Sequence, residues 1–335
     1  MLFTAWRVTI IGTLSTVIIA ACAQLWVAHS RLAAHPQPFT YAELTAPLQD
    51  ASRHTVTIAR AGTPARKLSA LASPMGASGK TLVLVHAFKL TAASWSLMWN
   101  ELRRRGHRVI AFDLPGHGDS DLGVSPDLDS LSEDLRCVLD HFDVTNGALV
   151  GHSLGGLISI KYLQDHPDHT LKRLSLGFAC VACTAGDWKR FIGGAGGNWH
   201  GNLLMTTGIF DLLMSSDWIA PLLMAKKFGR PSLPAVRLVV EAGRLGEGRA
   251  ALKGMSDFAW EHNLHTSLPA MRIPSVVVVG ALDNHHAHPA MSEALRLDFE
   301  ASGLLRAYVV LPEVGHFIPL MKPSDAVDAI EQLWL

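Results

Sequence analysis

The sequence Gly147-Ala-Leu-Val-Gly-His-Ser-Leu-Gly-Gly156 places a serine between two glycines, in the pattern Gly-x-Ser-x-Gly. Residues 148–151 have strand character, and the apolar segment 157–164 predicts a helix directly afterwards. In so tight a turn, a Cβ at either glycine would press on the neighbouring strand or helix. The pattern therefore predicts a strand–turn–helix elbow that exposes the Oγ of Ser153 above the free N–H groups of a helix start, the alternative being an ordinary glycine-rich turn.

Around the elbow, largely apolar strands alternate with helices. Strands that are apolar on both faces and separated by helices are typical of a mostly parallel, doubly wound sheet, that is, an α/β fold. A possible hairpin precedes this alternation. The strands are expected at Thr55–Ile58 and Arg66–Ala72 (the hairpin), Thr81–His86, Arg108–Asp113, Ala148–Gly151, Leu171–Phe178, Ile273–Gly280 and Arg306–Leu311, and the other helices at Trp95–Arg105, Leu128–Phe142, Pro289–Phe299 and Ser324–Leu333.

The alternation stops between about Thr184 and Leu268. This interruption begins with a glycine-rich stretch, 193–197, and continues with apolar residues at helical spacing in 203–228. Half of the methionines of the chain lie in it or just after it. We therefore expect a helical cap over residues 184–270, inserted between the two parts of the α/β body, 54–183 and 271–335.

The N-terminal residues 1–28 contain a stretch without charge, residues 8–28, which is long enough to span a bilayer as a helix. An uncleaved membrane anchor is the favoured interpretation, because the stretch stays apolar after Cys22. A cleaved secretory signal ending near Ala21-Cys22-Ala23 and a lipoprotein signal at Ile19-Ala20-Ala21-Cys22 remain alternatives. Arg7 precedes the stretch and Arg31 follows it, which weakly favours export of the body of the chain to the cell envelope or beyond, with a body that faces the cytoplasm as the alternative.

Residues 29–53 are expected to be a tether, because three prolines interrupt regular structure there. The formal net charge of the chain is zero and no basic stripe is present, so nucleic-acid binding is not indicated. Cys180-Val-Ala-Cys183 has redox spacing but follows a strand instead of opening a helix. We expect two ordinary thiols there, with a disulfide in an exported protein as the alternative.

A serine hydroxyl becomes a strong nucleophile when a histidine accepts its proton and a carboxylate orients that histidine. The chain has 17 histidines, so position must select among them. Reactive groups of a parallel sheet collect at the carboxyl ends of its strands, where Asp283 and His316 follow the last two expected strands. Ser153, Asp283 and His316 are therefore the predicted catalytic residues, with Asp187 as the alternative acid.

Asp113 and several histidines outside the predicted triad are further candidates for a functional role. Asp113, in a loop shaped by proline and glycines, is expected to accept backbone hydrogen bonds and not to react. The histidines at 285, 286 and 288, and His262 with His265, could suggest a metal site, but no carboxylate is interleaved at ligand spacing. We expect neither a metal nor another cofactor.

Five motifs follow one another along the chain: Leu84-Val85-His86, Asp113-Leu-Pro-Gly-His-Gly-Asp-Ser120, Gly151-His-Ser-Leu-Gly155, Gly280-Ala-Leu-Asp283 and Gly315-His316. In these motifs and their order, residues 54–335 resemble the cap-bearing α/β-hydrolases, a large family of esterases, lipases and related enzymes.

The resemblance implies roles for the matching residues. Ser153 would be the nucleophile, His316 the general base and Asp283 the orienting acid, and the backbone N–H groups of Phe88 and Leu154 would form the oxyanion hole. The family usually has glycine after its first motif histidine, whereas this chain has Ala87. Two alternatives follow: the extra methyl group shifts the loop that carries Phe88, or it narrows the range of acyl groups that the site accepts.

The expected reaction is hydrolysis of a carboxylic ester or thioester through an acyl-enzyme. A cap rich in methionine and leucine favours a lipophilic acyl substrate, although the same residues could merely pack the cap onto the body. Cofactor-free haloperoxidases and carbon–carbon bond hydrolases share the triad and stay open as alternatives, as does a non-catalytic binding protein of the same fold. A serine at the elbow argues against epoxide hydrolases and dehalogenases, which use aspartate there.

Overall fold

The computed structural model describes residues 22–34, 38–60, 62–123, 126–187, 209–225, 227–230, 232–244, 258, 261–283 and 289–335. Within these ranges, eight strands form one sheet in the order β1-β2-β4-β3-β5-β6-β7-β8, antiparallel between β1, β2 and β4 and parallel from β4 to β8. The strands are β1 Ser52–Arg60, β2 Thr63–Ala72, β3 Thr81–Val85, β4 Arg108–Phe112, β5 Gly147–His152, β6 Gly177–Val181, β7 Ser275–Gly280 and β8 Leu305–Leu311.

Helices cover both faces of the sheet. They are α1 (22–34), α2 Tyr41–Leu44, α3 Ser96–Arg104, α4 Leu128–His141, α5 Leu154–Asp165, α6 Pro167–Arg173, α7 Ile209–Ser215, α8 Ile219–Ala225, α9 Leu233–Ala242, α10 Pro289–Ala301, α11 Ile318–Met321 and α12 Pro323–Glu331, with short 3₁₀ turns at Ala92–Trp95 and His265–Ala270.

The central strands are buried on both sides because each face packs against its own helices. In β3, Val83 and Val85 point into the core shared with α4, α5 and α10, while Leu82 and Leu84 point into the core shared with α3 and α12. A strand in this position has no solvated face, which is why β3, β5 and β7 lack polar–apolar alternation. The predicted α/β fold with a mostly parallel, doubly wound sheet is confirmed.

One predicted strand, Leu171–Phe178, is wrong in its position. Residues 167–173 form α6, and the strand begins only at Gly177. Pro167 at the first helical position and Asp168 in the first turn both favour a helix start. These signals outweigh the apolar residues that suggested a strand.

The segment predicted as a tether, 29–53, packs onto the cap over part of its length. Leu32 of α1 and Leu44 of α2 are buried in a cluster with cap residues. A capping box between Thr40 and Glu43 starts α2, and the Tyr41 hydroxyl donates a hydrogen bond to Glu241 of α9. Within the described part of the chain, no helix has the length and apolarity needed to cross a membrane. Residues 8–21 of the predicted span lie outside the described residues.

In the expected cap, the described helices α7, α8 and α9 form an apolar cluster above the carboxyl edge of the sheet. Its members include residues of the cap and of the two loops that face it, among them Met214, Met224, Phe228, Val236, Val240, Ala87, Phe317 and Leu320. Residues 193–197, the expected glycine-rich start of the cap, are outside the described residues. The cap cluster therefore touches both the loop after β3 and the loop after β8.

Candidate active site

Ser153 occupies a strained turn between β5 and α5. Its backbone lies at φ 54° and ψ −115°, a region that residues with a Cβ seldom adopt. Its N–H donates a hydrogen bond of 3.1 Å to Val181 O on β6, and its carbonyl accepts from the N–H groups of Gly156 and Leu157. Ser153 is half-buried, whereas the residues around it are buried. The turn thus holds the side chain at the carboxyl edge of the sheet with access to solvent.

The two glycines of the elbow let the main chain of the turn pack closely against α5 and the end of β3. A Cβ on Gly151 would lie 2.6 Å from Gly156 Cα, and a Cβ on Gly155 would overlap Val85 O and lie 2.7 Å from His86 O. No side-chain movement relieves contacts with main-chain atoms. The start of α5 is therefore packed directly against the end of β3, where the expected oxyanion loop begins.

The predicted acid and base are in contact. Nδ1 of His316 donates a hydrogen bond of 2.7 Å to Asp283 Oδ2, and both side chains are buried. Asp283 follows β7 in a turn closed by its own N–H on Gly280 O. Asp187, the alternative acid, instead bonds Asn263 and receives no bond from His316 among the described residues. The structure brings Asp283 and His316 together, while their catalytic roles remain predictions.

The backbone of His316 is held from two sides. Its N–H donates a hydrogen bond of 2.7 Å to Lys227 O in the cap, and its carbonyl accepts one of 2.9 Å from Nε2 of His152. The two imidazole centroids are 5.2 Å apart. Residues 312–317, between β8 and α11, carry His316 and form the histidine loop. Because His152 directly precedes Ser153, this bond brings the histidine loop to the elbow.

Two buried histidines near the site are neutral at physiological pH. Burial lowers the pKa of His152 to about 3, assisted by the nearby charge of His316. Burial also lowers the pKa of His86 to about 4. His86 donates from Nδ1 to Ala87 O and accepts at Nε2 from Leu114 N–H, at 2.8 and 2.9 Å. His86 thus connects two loops of the site, which requires a neutral ring with one protonated and one unprotonated nitrogen.

The residues of the expected oxyanion hole lie on adjacent parts of this edge. Leu154 is the first residue of α5, and Phe88 lies in the turn after β3. Within the described part of the chain, neither N–H donates a hydrogen bond to another residue. The methyl group of Ala87 is buried in the cap cluster. Ala87 therefore fills space towards the cap, and the two N–H groups remain available for an oxyanion.

Asp113 has the structural role that the sequence predicted. Its carboxylate accepts hydrogen bonds from the N–H groups of Ala92 and Asp119, at 2.7 and 3.2 Å. Burial raises the pKa of this carboxyl above its usual value, and the backbone donors act in the opposite direction. Asp113 ties the loop after β4 to the 3₁₀ turn after β3.

Cys180 and Cys183 form a disulfide at the end of β6, so the expectation of two ordinary thiols is wrong. The chain turns back immediately after β6, with Ala182 at φ 46°, which brings the two Cα atoms to 5.7 Å. The bridge is buried against the elbow helix, since a Cβ on Gly156 would lie 2.6 Å from Cys183 Sγ. Only the tight turn, which a C-x-x-C spacing does not specify, decides this outcome.

Three residues of the site were not singled out from the sequence. They are His152, Lys227 and Phe228, which all contact the histidine loop. The position of His152 inside the elbow motif was a signal that could have identified it. Nothing in the cap sequence distinguished Lys227 from other surface lysines.

His262 and His265, the described histidines of the suggested metal group, have ordinary partners. His262 donates to Phe258 O, and His265 pairs with Asp298. Among the described residues there is no group of three or more potential metal ligands. The histidines at 285, 286 and 288 lie outside those residues.

Comparison with known proteins finds proteins of the alpha/beta hydrolase fold. A family model described as alpha/beta hydrolase fold matches residues 80–177. Over 86 residues the chain is 44% identical to the dihydrolipoyllysine-residue acetyltransferase component of the acetoin cleaving system of Pseudomonas putida, covering 25% of this chain and 23% of that protein. It is 24% identical to the mouse (Mus musculus) sn-1-specific diacylglycerol lipase ABHD11 over 68% of this chain and 72% of that protein. The first curated relatives are thus matched over only about a quarter to a third of their length.

Solved structures share the fold. A bromoperoxidase from Bacillus anthracis superposes with a TM-score of 0.69 at 17% identity, over 84% of this chain and 99% of that chain. A structure titled as a membrane phospholipase A superposes with a TM-score of 0.64 at 19% identity, over 98% of this chain and 97% of that chain. The family match, the order of the sheet and these structural neighbours together show that this chain has the α/β-hydrolase fold.

Proposed function

We propose that this protein is a serine hydrolase that cleaves carboxylic esters or thioesters with a lipophilic acyl group. The observation that carries the proposal is the buried Asp283–His316 hydrogen bond beside the elbow of Ser153. A carboxylate that orients an imidazole next to an exposed serine is the arrangement that activates the hydroxyl as a nucleophile. The esterase, lipase and peroxidase names among the relatives and structural neighbours are compatible with this chemistry.

The proposed reaction has two halves. In the first, His316 accepts the Ser153 proton while Oγ attacks the carbonyl carbon, and the oxyanion is stabilised by the N–H groups of Leu154 and Phe88. The intermediate collapses, and the alcohol or thiol leaves with the proton from His316. In the second half a water molecule, deprotonated by His316, attacks the carbonyl carbon of the acyl-enzyme. The bond from that carbon to Ser153 Oγ then breaks, His316 returns the proton to Oγ, and the acid is released. Asp283 stays ionised and stabilises the imidazolium in both halves.

The preference for lipophilic groups is supported by the surroundings of the site. The cap cluster is apolar, contains flexible methionines, and includes Ala87 from the oxyanion loop and Phe317 beside the base. An apolar surface that reaches both sides of the reacting centre favours burial of an acyl chain by the hydrophobic effect.

A fluorophosphonate probe and a series of p-nitrophenyl esters, from acetate to palmitate, test the proposal on the full-length protein in detergent. We expect the probe to label wild type but not Ser153→Ala, and kcat/KM to rise from acetate towards longer acyl chains. Labelling without hydrolysis of any ester or thioester would favour the haloperoxidase or carbon–carbon hydrolase alternatives. Absence of labelling in a folded protein would favour a non-catalytic binding protein.

We also propose that the N-terminal segment holds the protein at a membrane, with the catalytic body exported. Helix α1 continues the charge-free sequence and leaves Trp26 and Val27 62% and 40% exposed, while Leu32 is buried in the cap cluster. Tryptophan is enriched where proteins meet the membrane–water interface. The Cys180–Cys183 disulfide is compatible with an oxidising compartment outside the cytosol.

Fractionation of cells tests this second proposal. Wild type should remain with membranes through a high-salt wash, and Val17→Arg/Ile18→Arg should be released, whereas the matched control Val17→Leu/Ile18→Leu should not. Release of wild type by salt would contradict a membrane anchor. The intact mass distinguishes an uncleaved chain from a cleaved signal or a lipid on Cys22, which is exposed.

A further inference from the structure

A short cap segment lies directly on the loop that carries the predicted base. This segment, residues 227–230, follows α8 and turns back on itself through hydrogen bonds from Lys227 and Phe228 to the end of that helix. Its carbonyls then accept two bonds from the histidine loop: His316 N–H donates to Lys227 O at 2.7 Å, and Gly315 N–H donates to Phe228 O at 2.8 Å. The cap is thus joined to the base by main-chain atoms, which substitutions elsewhere in the cap leave in place.

The contact is so close that it requires glycine on both sides. A Cβ on Gly315 would lie 2.6 Å from Lys227 O and 2.7 Å from Phe228 C. A Cβ on Gly229 would lie 2.6 Å from the Cβ of Leu282 and 2.9 Å from Gly315 N, and Gly229 adopts φ +73°. Leu282 directly precedes Asp283, so the same cap segment packs against the loops of both the acid and the base.

Side chains reinforce this junction. The rings of Phe228 and Phe317 are 4.5 Å apart between centroids, and both are buried. At the solvent side, Arg230 forms an exposed ion pair of 2.7 Å with Glu313, which adds little by itself. On the opposite side of the loop, His152 bonds the carbonyl of His316. The peptide groups of His316 are therefore held by the cap through the N–H and by the elbow through the carbonyl.

We propose that the cap segment 227–230 is a positioning element for the base. It sets the distance of the His316 imidazole from Ser153 through the main-chain hydrogen bonds that Lys227 and Phe228 accept. This inference rests on the proposed function and adds to it a second role for the cap, besides contact with the acyl group. Displacement of the segment displaces His316 relative to the elbow, because two of the main-chain hydrogen bonds that fix the loop end on Lys227 O and Phe228 O. A small misplacement of a catalytic group has a large effect on the chemical step.

Gly229→Ala is the variant that tests this role, and Gly303→Ala is its matched control. Both glycines have nearly the same backbone angle, φ +73° and +72°, but a Cβ on Gly303 meets nothing within 4 Å. We expect Gly229→Ala to lower kcat for a short-chain ester about 10²-fold with little change in KM. Gly303→Ala should leave both constants unchanged. Equal kcat values in the two folded variants would overturn the proposal.

A spectroscopic measurement makes the result independent of turnover. In protein labelled with ¹⁵N-histidine, the ring resonances of His316 should shift in Gly229→Ala, while those of His169, which bonds Tyr162 and Asp140 far from the junction, should not. If wild type hydrolyses no ester but the His316 resonances still shift, the positioning role stands and the proposed esterase function fails. If wild type is active and His316 is unchanged, the positioning role fails alone. Should Gly229→Ala not fold, Phe228→Ala, which removes the Phe317 contact, replaces it in both measurements with the same criteria.

Discussion

The serine elbow and the histidine loop reach the same edge of the sheet through different kinds of contact. Ser153 is held by neighbours within the body: the end of β3 packs on Gly155, and β6 accepts its N–H. His316 is held by groups from three separate parts of the chain, namely Asp283 after β7, Lys227 in the cap and His152 in the elbow. The difference means that the position of Ser153, the predicted nucleophile, depends on local chain geometry, whereas the position of His316, the predicted base, depends on how distant segments pack.

The first prediction addresses the predicted catalytic residues at both places. Ser153→Ala should lower kcat about 10⁴-fold or more, because it removes the attacking group. Asp283→Asn should cause a fall of about 10⁴-fold, because His316 loses the carboxylate that stabilises its charged form. Steady-state kinetics on one ester checks both. Asp187→Asn is the matched control and should retain activity; a loss comparable to that of Asp283→Asn would contradict the choice of acid.

A second prediction concerns the elbow alone. Gly155→Ala places a methyl group on the carbonyls of Val85 and His86, which cannot rotate away. The free energy of unfolding should fall by about 3 kcal/mol, as expected for overpacking against backbone. Gly303→Ala, which meets no neighbour, should cost only about 1 kcal/mol for its backbone angle. Urea unfolding of both variants measures the difference, and similar losses would show that the elbow is less tightly packed than the structure indicates.

A third prediction tests the connection between the two places. Burial lowers the pKa of His152 to about 3, so its neutral form stabilises the fold at pH values above the pKa of an unfolded histidine. That stabilisation is lost as the pH falls from about 6.5 towards 3, because the unfolded chain binds the proton and the folded chain does not. In His152→Gln, whose amide can still donate to His316 O, the loss is absent.

The difference in unfolding free energy between wild type and His152→Gln should therefore shrink by about 2 kcal/mol between pH 7 and pH 5. Chemical unfolding at both pH values measures it. A difference that stays constant would mean that His152 is already solvated in the folded protein.

The smallest effect is expected at the cap side of the histidine loop. Burial lowers the pKa of Lys227 to about 8, against the attraction of the Asp283 carboxylate. Its charged form is thus disfavoured in the folded state at neutral pH. Because the side chain is only partly covered from solvent, Lys227→Met should raise the unfolding free energy by about 1 kcal/mol at pH 7.

This gain should decrease as the pH rises from 8 towards 10.5, because wild-type Lys227 then becomes neutral in the folded state and the unfolded lysine still binds its proton. Thermal unfolding at pH 7 and pH 9.5 measures the trend. A gain that is independent of pH would come from packing of the methionine and not from the charge.

Local signals predicted the elbow and most of its surroundings. The glycines at 151 and 155, the apolar strand before them and the helix after them all act within a few residues, so the strand–turn–helix could be read directly. The strand predicted at Leu171–Phe178 failed because a helix start at Pro167 competes with it within the same stretch. The disulfide was missed because its formation depends on the turn at Ala182, which the cysteine spacing does not encode.

The sequence by itself determined the α/β fold, the elbow of Ser153 and the positions of Asp283 and His316 after neighbouring strands. These features follow from apolar patterning, glycine placement and strand order, which are properties of short segments. Only the tertiary structure decided that Lys227 and His152 hold His316 from opposite sides, and that part of residues 29–53 packs onto the cap. Such contacts join segments far apart in the chain through main-chain carbonyls or apolar burial, and these interactions leave no distinguishing residue type in the sequence.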